Sequence, residues 1–271
     1  MILSGCASMI SSATQKMADN LSRAMLNQDD LEIVRAGSPA YLIMIDSMIE
    51  GDPDNVSILL SAAKLYGSYT SAFVEDEERA RRLAEKSLSF ARKALCLDLK
   101  SLCNNLDLKL ENIQPLLNEI EKSQQPLLYA YASAWAGWIQ VNSSDWNAIA
   151  QIPKLTAMLQ RSVELDENYD DGGAYLYLGV LASQIPPGLG GKPEQGRAYF
   201  EKVLSLSKGK NLMVHVLFAE YYCRLVFDQA LHDKLLKEVL SSNPVEPGLT
   251  LINTLAQKRA TVLLAESPEF F

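Results

Sequence analysis

The chain has 271 residues, 48% hydrophobic and 21% charged, enough apolar material for a large core in one extended or two compact domains. Its net charge of -8 and pI near 4.9 argue against a phosphate-binding surface, and so against nucleic acid as a partner. No apolar run is long enough to cross a bilayer, and β-branched alternation is nearly absent, which predicts an all-α fold.

At the start, Leu3-Ser4-Gly5-Cys6 has the pattern of a bacterial lipobox, where a peptidase cuts before the cysteine and the thiol carries diacylglycerol. The small, polar residues Ala7 to Thr14 suit a tether. Lipidation at Cys6 would hold the protein at a membrane surface without a spanning helix. Residues 1–28 read as tether plus a short amphipathic stretch, and 29–271 as a single helical-repeat domain.

Ser38-Pro39 predicts a helix start and Gly51-Asp52-Pro53-Asp54 its end. Leu59, Ala62, Ala63, Tyr66, Tyr69 and Phe73 then keep helical spacing. The acids Glu75 to Glu78 mark the next helix start, where the dipole favours negative charge. Glu77–Arg81 and Glu78–Arg82 are i,i+4 pairs on its wet face; Ala80, Leu83, Ala84, Leu88, Ala91 and Leu95 form its apolar stripe. Residues 99–125 are less regular and predict an atypical helix or two. Gln125-Pro126 starts the next helix, and Asp145-Trp146 opens another pair. Asn211 to Val226 and Leu231 to Leu240 read as a hairpin, and Gly248 to Ala265 as a terminal capping helix. Beyond Cys6, three cysteines remain. On one continuous helix Cys96 and Cys103 would lie about 10 Å apart, too far to bridge, so buried free thiols are expected.

A repeat underlies this series. Leu178-Gly179 sits in one helix, and Gly196, Phe200 and Val203 in the next, spaced like the small and bulky positions of a tetratricopeptide hairpin. The segments beginning at Ala94, Ser162, Val203 and Val239 all look like the end of a second repeat helix, with offsets of 68, 41 and 36 residues. Antiparallel hairpins of tetratricopeptide-like repeats, stacked as an α-solenoid, are expected. Such a scaffold binds and does no chemistry.

Several segments together resemble the T component of tripartite ATP-independent periplasmic (TRAP) transporters: WAGWIQVNSSDW (Trp135–Trp146), PPGLGGKPEQGRAYFEKVL (Pro186–Leu204), AEYYCRLVFDQALHDKLLKEVL (Ala219–Leu240) and PGLTLINTLAQKRATVLL (Pro247–Leu264). The Pro-Pro-x-Leu-Gly-Gly insertion is the most specific of these. The resemblance implies a tetratricopeptide-like fold, a periplasmic lipoprotein, a homotrimer and association with the transporter's substrate-binding P component. It implies no catalytic residues and no cofactor.

The residues themselves offer no enzyme. HExxH, paired CxxC and a complete P-loop are all missing, which leaves metal and nucleotide sites without support. Of the two histidines, His215 falls where repeat helices pack together. Tyr131, Trp135 and Trp138 share one helix face and suit either core packing or an apolar pocket with a polar edge. With Gly179 as the packing position, the concave-facing residues are Leu176, Val180 and Ser183, and in the later hairpin Val216, Glu220 and Cys223. None is Lys or Arg, so a ligand in that groove would be apolar or only weakly anionic. The reading is a TRAP accessory protein that docks the P component and holds or passes such a ligand. The alternative is a general envelope interaction scaffold without a small-molecule site.

Overall fold

The computed structural model describes residues 20–184, 188 and 191–271. Cys6 and its tether lie outside the described residues, as does most of the Ile185–Gly190 stretch of the Pro/Gly insertion. Every regular element among the described residues is helical.

A helical turn over 20–26 precedes α1 (Leu31–Gly51). Then come α2 (Val56–Phe73), α3 (Glu77–Asp98), the one-turn Lys100–Cys103, and α4 (Leu110–Asn118). Next are α5 (Gln125–Val141), the one-turn Trp146–Ile149, α6 (Ile152–Leu165), α7 (Gly173–Ala182) and α8 (Pro193–Leu206). The ninth helix, α9, starts as Leu212–Leu217, widens to a π-helical stretch at Phe218–Cys223, and finishes as Arg224–Val226. The series closes with α10 (Gln229–Ser241) and α11 (Thr250–Phe270).

Short acids and amides start these helices. Asp30, Asn55, Asp76, Asn211 and Asp228 each accept a backbone N–H of the first turn, filling orphan donors that the helix cannot satisfy itself. The cap at Asp30 corrects one sequence expectation. Helix α1 begins seven residues before Ser38, and Pro39 lies inside it. Ser38 is buried and donates its hydroxyl to the Val34 carbonyl, 2.6 Å away, one turn back. The apolar face of Val34, Leu42 and Ile45 runs through the proline without a break, and its burial outweighs one missing ladder bond. The four segments read as repeat ends do terminate α3, α6, α8 and α10.

Packing follows chain order: α2 on α3, α3 on α5, α5 on α6, α6 on α7, α7 on α8. Helix α11 lies along α9 and α10. It also reaches α1, where Leu251 and Leu255 pack on the cluster of Val34, Leu42, Tyr66 and Phe73. The Gly248 amide donates to Asn27 Oδ1 at 2.7 Å in the same place. One core runs from α2 to α7, and a second joins α8 to α11.

The α7/α8 crossing shows why small residues are needed there. A Cβ on Gly196 would overlap the Ser183 hydroxyl and come within 3.1 Å of the Gly179 carbonyl oxygen. A Cβ on Gly179 would meet the Phe200 ring at 3.3 Å. Phe200 is fully buried and stacks on Phe218 of α9, centroids 5.0 Å apart, tying this hairpin to the next.

Cys96 and Cys103 form a disulfide, contrary to the free-thiol expectation. The geometric premise was a continuous helix. Helix α3 instead ends at Asp98, and Leu99, at φ -102° and ψ 55°, redirects the chain. The two Cα atoms thereby come to 5.1 Å, within bridging range. Cys223 is a free buried thiol, and burial pushes it up to about 12.

Candidate functional site

Between α3, α5 and the two irregular connections around them lies a cavity of about 440 Å³. Tyr131, Trp135 and Trp138 form one wall, successive positions on the inner face of α5. Opposite, α3 presents Glu85, Leu88, Ser89 and Arg92, again at helical spacing. Leu106 and Asp107, from the connection that the disulfide restrains, Asn147 and Gln151 from the connection after α5, and Lys154 of α6 complete the rim. The space exists because residues 99–124 do not form a regular partner helix for this face of α5.

The polar groups differ in how fully they are engaged. The Trp138 indole N–H donates to Glu85 Oε2 at 2.6 Å. Lys154 Nζ donates to the Leu106 carbonyl at 3.0 Å, holding the rim loop. Arg92 makes no ion pair, and the Tyr131 hydroxyl no hydrogen bond, among the described residues. Tyr131 is only 4% exposed. Burial pushes its phenol up to about 12, with Arg92 pulling it down and Asp107 pushing it up. At neutral pH it is therefore a protonated donor. The hydroxyl oxygen keeps contact with solvent, so it is a free donor at the cavity.

The other predicted positions lie elsewhere. Leu176 and Val180 are half-buried on α7 and pack against the second core. Val216 is fully buried within that core. Glu220 sits in the π-helical stretch, and Arg259 of α11 donates to its Oε1 at 2.7 Å. The α7–α9 positions were expected to be without a cation; the terminal helix supplies one. The π stretch adds a residue to the turn, which changes the facing of Glu220 and Tyr221 relative to the α-helical residues before it. His232 is fully buried and His215 partly so. Burial lowers the His215 pKa.

Arg92, Glu85, Lys154 and Arg259 were not singled out by the sequence. For the α3 residues a signal existed: Glu85, Leu88, Ser89 and Arg92 repeat at i, i+3, i+4 and i+7. Arg259 carried none, because its partner is 39 residues away.

Among the described residues no group of three or more His, Cys, Asp or Glu could hold a metal ion, and no helix is long and apolar enough to cross a membrane. The chain is similar to an uncharacterized protein of Treponema pallidum (strain Nichols), 22% identical over 273 residues, covering 93% of this chain and 84% of that protein. The sequence model of the TRAP transporter T-component family matches residues 27–271. With nearly its whole length matched, and an all-α architecture to go with it, the chain belongs to the TRAP transporter T-component family.

Proposed function

We propose that this chain is the periplasmic, lipid-anchored T component of a TRAP transporter, which docks the substrate-binding P component and takes an apolar or weakly anionic ligand on the Trp135/Trp138 face. The observation that carries the reading is the family match across residues 27–271. We read α2/α3, α5/α6, α7/α8 and α9/α10 as four stacked tetratricopeptide-like hairpins. The sequential packing and the close α7/α8 crossing at Gly179 and Gly196 support that arrangement. The ligand face shifts with the geometry: Val216 is core, so the Trp135/Trp138 cavity is a better place for a ligand than the α7–α9 face.

The test is a pull-down of the full chain against the periplasmic binding protein encoded beside it. Retention of that protein, and not of an unrelated binding protein, is the expected result; equal retention of both, or of neither, would refute docking. Sedimentation equilibrium should give about three times the 30.0 kDa chain mass if the trimer is right. Mass spectrometry of protein made from the full-length gene in a bacterial host should find diacylglyceryl on Cys6, and an unmodified Cys6 would remove the anchor.

A further inference from the structure

We propose that the cavity between α3 and α5 binds a small organic carboxylate with a planar apolar body, the body lying on Trp135 and Trp138 and the carboxylate on Arg92 and the Tyr131 hydroxyl. The proposal rests on the reading of the Trp135/Trp138 face as a ligand site, and adds the chemical class and the residues that set it.

Four observations lead to it. First, about 440 Å³ is the size range of sites for small organic molecules, and Trp138, the more open of the two indoles, gives such a body a face to lie on. Second, the charged lining balances in number, Glu85 and Asp107 against Arg92 and Lys154, but not in availability. Glu85 is occupied by the Trp138 indole, and Lys154 by the Leu106 carbonyl. Asp107 is exposed on the rim loop. Arg92 is the cation with its donors uncommitted among the described residues, and its planar fork matches a carboxylate. Third, the ring of Tyr131 is buried but its hydroxyl opens at the same cavity, close enough to Arg92 and Asp107 to feel both, and makes no hydrogen bond among the described residues. A phenol and a guanidinium converging on one space are donors in search of one acceptor. Fourth, the Cys96–Cys103 bridge and the Lys154–Leu106 bond fix the rim loop from both sides. A site held open in this way loses little entropy when it is filled.

The Glu85–Trp138 bond fixes the indole plane against α3.

The experiment is calorimetric titration of the full chain with 3-phenylpropionate and, separately, with its neutral amide, up to about 10 mM, since a ligand of this size binds weakly. The acid should bind at least about tenfold tighter than the amide, the usual range for a charge-assisted hydrogen bond to a guanidinium. Arg92→Gln should remove that difference, weakening the acid about tenfold and leaving the amide unchanged. Arg92 is exposed and unpaired among the described residues, so the variant should melt with the parent. Tyr131→Phe should weaken the acid severalfold at unchanged melting. Trp138→Ala should weaken acid and amide alike. Equal affinity for acid and amide would overturn the anion assignment while leaving the aromatic face as a ligand site. Failure of both probes to bind would overturn the Trp135/Trp138 face as a site altogether. An acid preference that survives in Arg92→Gln would show that another cation reads the carboxylate, and would overturn Arg92's role.

Discussion

Gly196 of α8 sits where α8 crosses α7, and replacing it with alanine tests the packing frame directly. Two effects oppose each other. Alanine in a helix interior is favoured over glycine by roughly 1 kcal/mol. The added methyl, however, would overlap the Ser183 hydroxyl and sit 3.1 Å from the Gly179 carbonyl oxygen, which belongs to backbone and cannot rotate away. Overpacking of this kind costs about 1–3 kcal/mol, so the net loss after the propensity gain should be up to about 2 kcal/mol. For a chain of this length that lowers the melting temperature by up to roughly 4 °C, read by circular dichroism. Gly137→Ala in α5 is the control, because nothing lies within 4 Å of its Cβ position. It should raise melting slightly, by about the propensity gain. Adding Ser183→Ala to Gly196→Ala should return part of the loss, since one of the two obstacles is then gone. If Gly196→Ala is as stable as Gly137→Ala, the two helices do not meet closely at this point, and the reading of Gly179 and Gly196 as the repeat's small positions fails.

Three further outcomes follow from the geometry. Removing the bridge with Cys96→Ser and Cys103→Ser should lower stability by about 2.5 kcal/mol from chain entropy alone for so short a loop, and thiol titration of the denatured parent should reveal Cys96 and Cys103 only after reduction. Burial lowers the pKa of His215, so the folded chain resists a proton that the unfolded chain accepts; stability is complete above the unfolded value of about 6.5 and falls as pH drops through it towards the folded value. His215→Gln should flatten that part of the melting profile between about pH 7.5 and 5.5, and an unchanged profile would remove His215 as its source. Val180→Asp should cost about 1–3 kcal/mol, because the side chain is half-buried against the second core; no loss of melting would show that it faces open water.

Much of the fold was legible because it is written locally. The apolar stripes of α2 and α3, the Glu77–Arg81 and Glu78–Arg82 pairs, and the start of α5 depend on residues within a turn or two of each other, and all are present. Phe200 was legible because a bulky residue opposite a small one has only one use at a close crossing. What failed was also local in cause. Ser38-Pro39 is a good opening signal, but Asp30 is a better one and lies at the start of an unbroken apolar face. The irregularity of 99–125 was legible, but no proline or glycine marks how the chain turns at Leu99, so the approach of Cys96 and Cys103 was missed. The candidate site was half legible. Its aromatic wall is a single helix face, whereas Arg92, Lys154 and the rim loop come together only through packing.

The meeting of α11 with α1 changes how the whole series should behave under stress. A linear array of hairpins frays from its ends, each unit leaning only on its neighbours. Here the backbone amide of Gly248 is bound to a side chain 221 residues earlier, and Leu251 and Leu255 are shared with the first helices. The first and last helices therefore lean on each other as well as on their neighbours in the chain. Amide exchange should therefore be slow in α1 and α11 together, and loosening either one should release the other.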